Sequence, residues 1–153
     1  MPDSVRPAKP GEGGRLGEIY LSSGRAAWAR HLSPIGLGGV ASSADEWERF
    51  ITDPDLIVLV AERRGEPAAL ALLDRLYTEP ASWRRGLGRA LLDAAMDQLR
   101  ERRFQEVTLW TAEWNTSRGF YEALGWQLDG ATREKTFEGS TFTEVRYRTQ
   151  VPR

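Results

Sequence analysis

Cysteine is absent from the 153-residue chain, and histidine occurs once, as His31. Without thiols there can be no disulfide, no thiolate nucleophile and no zinc site built on cysteine. A single imidazole also argues against a histidine-rich metal site, so we expect no bound metal. The sequence contains no apolar run long enough to cross a bilayer, and residues 1–17 lack the apolar core of a signal peptide. These absences predict a cytoplasmic protein that does not act at a membrane.

An excess of charge of one sign is also missing, because 21 basic residues oppose 22 acidic ones and the net charge is -1. Such a balance provides no strong field for nucleic acid or anionic lipid, so we expect neither as a partner. The content of 41% hydrophobic and 28% charged residues is typical of a globular protein. The length suits one core, which predicts a single domain over residues 1–153.

Hydrophobic periodicity predicts alternating strands and helices followed by a terminal hairpin. The predicted strands are 4–6, 56–61, an extended stretch 68–78, and 105–111, and the predicted helices are 12–31, a short one after Ser43, 87–102 and 116–124. The hairpin is predicted from 131–137 and 141–150. Asn115 is expected to cap the helix at 116–124, with Gly125 just past its end. This order predicts a mixed α/β sheet.

The most informative stretch is 80–92, where a strand ends, a glycine-bearing loop turns and a long helix begins. Gly86 and Gly88 allow a ligand to approach the backbone closely, and the amides there meet the positive end of the helix dipole. Arg84, Arg85 and Arg89 add charge suited to phosphate oxygens. The pattern therefore predicts an anion site, although a glycine-rich helix start with solvated arginines would give the same sequence.

Two other phosphate motifs fit this loop less well. A P-loop requires lysine followed by serine or threonine, whereas Gly88 is followed by Arg89 and Ala90. A dinucleotide fingerprint requires a third small residue at the position of Leu91, and no acidic residue closes a strand about 20 residues further on.

The run 83–92 resembles the coenzyme A pyrophosphate loop of the GNAT superfamily of N-acetyltransferases, whose pattern is Gln/Arg-x-x-Gly-x-Gly/Ala. Gly86 and Gly88 match its glycines. Trp83 departs from its first position, which removes one side-chain contact but keeps the backbone cradle, and Arg84 can compensate. The run 109–126 resembles the family's strand, asparagine, Phe-Tyr helix and Gly-aromatic ending.

The resemblance implies an α/β domain with a mixed, mostly antiparallel sheet flanked by helices, and acetyl-CoA as the acyl donor. It also implies a set of cofactor-binding residues: Leu76, Tyr77, Thr78, Arg84, Arg85, Gly86, Leu87, Gly88, Arg89, Ala90, Asn115, Arg118 and Tyr121.

The same resemblance implies a mechanism in which an amine attacks the thioester directly. A backbone amide of 76–78 would bind the oxyanion, and Tyr121 would donate to the departing thiolate. Asp74 is the predicted general base, with Glu79, Glu113 and a chain of waters as rivals. The acceptor would be a small-molecule amine or a protein amine, and the sequence leaves a homodimer open.

One stretch does not fit the family comfortably, because its sheet needs two antiparallel strands where this chain has only 68–78. No glycine, proline or asparagine marks a turn there. A tight turn near Leu73 and Asp74, a truncated hairpin and an absent loop are all compatible with the sequence. The shortened strand pair favours one rival function, a non-catalytic acyl-CoA-binding or regulatory module on the same fold. A second rival is a nucleotide-binding protein that uses the glycine-bearing loop at 80–92.

Overall fold

The computed structural model describes residues 2–28, 43–72, 75–78, 80–137 and 139–153. These residues fall into two compact units. The first takes in the described residues up to Ala26 and from Ser43 to Gln98, and the second takes in Ala27, Trp28 and the described residues from Leu99 onward. That the whole chain forms one domain stays a prediction.

The first unit is built around a four-stranded sheet with three helices. Its elements are β1 Ser4–Pro7, α1 Gly13–Trp28, α2 Ala44–Thr52, β2 Val58–Arg63, β3 Glu66–Leu72, β4 Arg75–Thr78, a 3₁₀ turn Pro80–Ser82 and α3 Leu87–Glu101. Helices α1 and α3 begin in this unit. Helix α2 begins where the sequence predicts, because the Ser43 hydroxyl accepts a hydrogen bond from the Glu46 amide at 3.1 Å.

The sheet has the order β1-β2-β3-β4, and every neighbouring pair is antiparallel. Arg64 and Gly65 connect β2 to β3 with φ angles of 56° and 77°, as a two-residue type I′ turn requires. Strand β2 begins at Val58, two residues later than predicted.

Residues 68–78 contain two paired strands rather than one, with β3 ending at Leu72 and β4 beginning at Arg75. They pair with Leu72 opposite Arg75, so only residues 73 and 74, which lie outside the described part, connect them. The stretch therefore supplies both antiparallel strands, and the tight turn considered near Leu73 and Asp74 lies outside the described residues. β4 then leads directly toward the glycine-bearing loop.

The first sheet has an apolar cluster on each face. One face packs against helix α3 and the other against α1 and α2, as the alternation of strand side chains dictates. The α3 side contains Ile57, Leu59, Ala61, Ala69, Ala71, Leu87 and Leu91. The other side contains Leu16, Ile19, Trp47, Val58, Val60, Leu70 and Leu72, with Phe50 and Ile51 packed against them. This double-sided burial fixes the loop before α3 on a rigid base.

The second unit is a three-stranded antiparallel sheet with one short helix. Its elements are β5 Glu106–Ala112, α4 Arg118–Ala123, β6 Gln127–Phe137 and β7 Ser140–Gln150, in the sheet order β5-β7-β6. Strands β6 and β7 form the predicted terminal hairpin, and β6 starts earlier than predicted through a bulge between Leu128 and Thr132. The predicted mixed, mostly antiparallel α/β fold is confirmed.

Candidate functional site

The loop between β4 and α3 is fastened at its start. The Trp83 amide donates to the Pro80 carbonyl at 3.2 Å, which closes the 3₁₀ turn. From the end of β2, Nη1 of Arg63 donates to the Ala81 carbonyl and to the buried Ser82 hydroxyl, each at 3.2 Å. The backbone that precedes the glycines is therefore held by a neighbouring strand.

Two residues of this loop adopt left-handed backbone conformations. Arg84 has φ 59° and Gly86 has φ 79°, with Arg85 between them at negative φ. A non-glycine residue with positive φ is uncommon and costs energy, so the surrounding structure must impose it. In anion-binding nests, alternating right- and left-handed residues turn successive backbone N–H groups toward one point, and the two left-handed residues here are compatible with that arrangement.

The loop leads directly into the start of helix α3. The Ala90 amide makes a helical hydrogen bond, to the Gly86 carbonyl at 3.0 Å. The amides of Leu87, Gly88 and Arg89 precede it and have no carbonyl within the helix to bond. They lie at the positive end of the helix dipole, where an anion is stabilised.

Arginine side chains surround this helix start. Arg84, Arg85 and Arg89 are exposed, and Nε of Arg89 lies 3.8 Å from Oδ2 of Asp93 in an exposed pair. Leu87 is buried against the α3 face of the sheet, whereas the three arginines lie at the surface. Trp83, which stands where GNAT proteins have glutamine or arginine, exposes 45% of its surface. Backbone amides and exposed guanidinium groups therefore lie close together in the chain at the start of α3.

The predicted oxyanion strand lies next to the loop. In β4, Leu76, Tyr77 and Thr78 pair with Ala71, Leu70 and Ala69 of β3. β4 is the last strand in the order of the first sheet, so its other edge can offer backbone groups to a ligand. Asp74, Glu79 and His31 lie outside the described residues.

The second unit holds the remaining predicted site residues, and Tyr121 is the central one. Its ring lies among Phe120, Trp126 and Tyr147, with centroid distances of 5.2, 5.7 and 6.4 Å. Burial raises the pKa of the Tyr121 phenol to about 12. The hydroxyl therefore keeps its proton at neutral pH and can act as a hydrogen-bond donor.

Asn115 does not cap helix α4, contrary to the sequence prediction. Ser117 occupies the N-cap position, and its side chain makes no capping bond. The side-chain oxygen of Asn115 instead accepts from the Ser117 amide at 3.0 Å, while its Nδ2 donates to the Thr111 hydroxyl at 3.0 Å. The amide group closes an Asx turn, which places it two residues earlier than a cap.

Arg118 is held by contacts within its own unit. Its Nη1 donates to the Glu113 carbonyl at 2.7 Å and its Nε donates to the Tyr147 hydroxyl at 2.9 Å. The same hydroxyl donates to Glu122. Sequence reasoning missed Tyr147 and Glu122, although the alternation of Val145 and Tyr147 in the predicted strand could have indicated an inward-facing tyrosine.

The comparison with protein families decides the family. Residues 25–126 match the Acetyltransferase (GNAT) family.

This chain belongs to the GNAT family of acetyltransferases.

Solved structures agree with that fold. A GCN5-related N-acetyltransferase from Rhodopseudomonas palustris is 20% identical with TM-score 0.82, and the match covers 98% of this chain and 96% of that one. PaiA N-acetyltransferase from Thermoplasma acidophilum, solved with coenzyme A, is 17% identical with TM-score 0.77, over 96% and 98%. YncA from Salmonella typhimurium, a putative acetyltransferase solved with acetyl-CoA, is 19% identical with TM-score 0.76, over 98% and 94%. No protein with a curated description matches the chain.

Within this GNAT chain the described site residues form two groups. Residues 76–78 and 84–90 belong to the first unit, and Asn115, Arg118 and Tyr121 belong to the second. Among the described residues, no group of three or more His, Asp or Glu side chains is arranged to hold a metal ion. None of the described helices is long and apolar enough to span a membrane.

Proposed function

We propose that this GNAT protein is an N-acetyltransferase that moves an acetyl group from acetyl-CoA to an amine within a ternary complex. The observation that carries the proposal is the pair of left-handed residues, Arg84 and Gly86, immediately before the start of helix α3. A site built from amides and exposed guanidinium groups suits a pyrophosphate. The structures of PaiA with coenzyme A and of YncA with acetyl-CoA support the same cofactor for this chain.

The backbone amides and exposed arginines at 84–90 fit the pyrophosphate of coenzyme A. When bound, acetyl-CoA supplies the activated acyl group as a thioester. Residues 84–90 would hold the pyrophosphate through backbone amides and through Arg84, Arg85 and Arg89. Asn115 and Arg118 stay proposed as further binding residues. In this structure both organise their own unit, so they would act mainly by shaping backbone.

The chain's own groups would then handle the charges of the reaction. An amide of β4, from Leu76 to Thr78, would donate to the oxyanion of the tetrahedral intermediate, and the same edge would hold the pantetheine amides. Tyr121 would donate to the departing thiolate. An alkyl thiol has a pKa of about 8.5, well below the value of about 12 that burial gives the phenol. Complete proton transfer from Tyr121 is therefore unfavourable, and we assign it a hydrogen bond that stabilises the thiolate.

Removal of the ammonium proton is assigned to Asp74, which precedes β4. Glu79 and Glu113 are the rival bases, and a chain of waters is the alternative. Glu113 is exposed, and its backbone carbonyl accepts from Arg118. The chain has no cysteine to form a thioester-linked intermediate, which supports direct attack by the amine. The acceptor is a small-molecule amine or a protein amine.

A non-catalytic acyl-CoA-binding module on this fold is the rival function. This rival was favoured by the apparent shortening of the strand pair at 68–78. These residues form both paired strands, which removes that support. A nucleotide-binding protein is the more distant rival.

The deciding experiment measures release of free thiol from acetyl-CoA by the purified protein, with a panel of small amines and peptide amines. We expect release that depends on both amine and protein, with mass spectrometry showing one acetyl group on the amine. Protection of the fold by coenzyme A without any amine-dependent thiol release would favour the binding module. Protection by ATP but not by coenzyme A would favour the nucleotide-binding protein.

A further inference from the structure

A single tyrosine hydroxyl joins both ends of the helix that carries Tyr121. Tyr147 is fully buried, with 0% of its surface exposed, and its hydroxyl makes two polar contacts with helix α4. It accepts from Nε of Arg118 at 2.9 Å and donates to Oε1 of Glu122 at 2.5 Å. Arg118 and Glu122 are four residues apart, on one side of the helix.

Helix α4 needs such a contact because it is weak by itself. It has six residues, and its N-cap Ser117 makes no side-chain bond to the first turn. A helix this short is unstable in isolation, so tertiary contacts must hold it. Arg118 adds a second point of attachment through the Glu113 carbonyl at the end of β5.

The bridge that the Tyr147 hydroxyl makes between Arg118 and Glu122, called the clamp below, starts from an ordered strand. Tyr147 lies on β7, the central strand of the second sheet, where it pairs with Leu109 of β5 and Leu128 of β6. The guanidinium carbon of Arg118 lies 5.9 Å from the centre of the Tyr147 ring, a cation–π distance that strengthens the same contact. The central strand β7 therefore holds helix α4 in place through the phenol of Tyr147.

We propose that Tyr147, through its hydroxyl bridge between Arg118 and Glu122, is a positioning residue that holds helix α4 and thereby fixes Tyr121. The rings of Tyr121 and Tyr147 lie 6.4 Å apart, and Glu122 follows Tyr121 in the chain. In this role Tyr147 does not contact the substrate, the cofactor or the reacting atoms. The consequence for turnover rests on the proposed acetyltransferase function, whereas the clamp itself does not.

Hydrogen exchange tests the clamp without requiring turnover. The amides of Leu124 and Trp126 donate to the Tyr121 carbonyl, and that of Gly125 donates to the Glu122 carbonyl. In Tyr147→Phe we expect these three amides to exchange about tenfold faster or more, because α4 opens locally. Amides of the β5–β7 ladder should keep their rates. Unchanged exchange at 124–126, or an equal acceleration across β5, would overturn the proposal.

The kinetic test compares kcat with the KM for acetyl-CoA. Tyr147→Phe should lower kcat about tenfold and leave KM nearly unchanged, because a displaced catalytic group costs rate more than ground-state binding. Glu122→Ala should reproduce this loss. Glu122→Gln should restore most of the rate, since its amide oxygen can still accept from the phenol.

A matched control lies on the same strand. Thr141→Val removes the exposed hydroxyl contact between Thr136 and Thr141 on the β6–β7 hairpin. It should change neither kcat nor exchange at 124–126. A wild-type protein without amine-dependent thiol release would sink the proposed function, and the exchange result would still decide the clamp. An active wild type with an equally active Tyr147→Phe would overturn the positioning role alone.

Discussion

Glu48 of helix α2 caps the first turn of helix α1 through the backbone amide of Gly13. Its Oε1 accepts from that amide at 2.7 Å, and both carboxylate oxygens accept from Gly11, at 2.9 and 3.1 Å. The two helices approach so closely here that a Cβ at position 13 would lie 2.5 Å from the Ala44 carbonyl oxygen. The contact therefore depends on glycine.

Gly13→Ala should destabilise the protein, and Gly14→Ala should not. The added methyl at 13 meets backbone, so α1 or α2 must shift, at a cost of about 1–3 kcal/mol. At position 14 the nearest atom is the Ala44 Cβ at 3.9 Å, an ordinary contact. Gly14→Ala should therefore gain up to about 1 kcal/mol of helix propensity. Urea unfolding of both variants measures the difference, and equal midpoints would contradict the close approach.

Gly88→Val should weaken coenzyme A binding much more than it weakens the fold. Gly88 is the second residue of α3, where the proposed pyrophosphate approaches the backbone. Wild-type protein with coenzyme A at 100 times its dissociation constant should gain about 2.7 kcal/mol in unfolding free energy. The variant should lose most of that gain.

The control for this variant is Gly14→Val in α1, which makes the same substitution in a helix on the opposite face of the sheet. It should keep the full stabilisation by coenzyme A. If Gly88→Val loses folding and binding in equal measure, position 88 serves helix packing only. If saturating acetyl-CoA leaves the wild-type melting temperature unmoved, the cofactor assignment fails.

Tyr121→Phe should lower kcat by about 10²-fold or more, the range typical of removing one hydrogen-bond donor that stabilises negative charge developing in the transition state. The ring contacts with Phe120 and Trp126 remain, so stability should change little. Acetyl-CoA affinity should also persist, because the hydrogen bond strengthens in the transition state. Single-turnover measurements separate a true loss of chemistry from slow product release. A wild-type single-turnover rate would remove Tyr121 from the mechanism.

Acid should weaken the first unit through the carboxylates around Arg6. The hydrogen bond from Arg6 lowers the pKa of Glu12, and hydrogen bonds from Ser4 and Arg6 lower that of Glu62, both below the usual 4.5. Their stabilising contribution is therefore complete above about pH 4.5, and it is lost as the pH falls through the lowered folded values.

Arg6→Gln should reduce this acid sensitivity. Urea midpoints at about pH 7 and about pH 3 should differ less in the variant than in the wild type, because loss of the Arg6 guanidinium returns the pKa values of Glu12 and Glu62 toward the usual 4.5. Two ion pairs at 2.6 Å would be lost, so the variant should also be weaker at neutral pH. An identical fall in both proteins would assign the acid sensitivity to other groups.

The amino-acid sequence alone determined the elements that depend on near neighbours. Ser43 and Glu46 start helix α2, and the side chains that follow at helical spacing give it one apolar face. Gly86 and Gly88 before a long periodic helix predicted the anion loop and, through it, the GNAT family. A helix cap, a hydrophobic period or a glycine turn involves residues only a few positions apart, so it can be predicted from the local sequence.

Tertiary structure alone decided the contacts that join distant residues. The buried hydroxyl of Tyr147 joins Arg118 and Glu122, which lie 29 and 25 positions away in the chain, and no local pattern marks that contact. The left-handed Arg84 has no local signature either, because packing can impose a conformation that local propensity disfavours. For that reason the sequence predicted Asn115 as a cap, whereas the folded chain uses it to close the preceding turn.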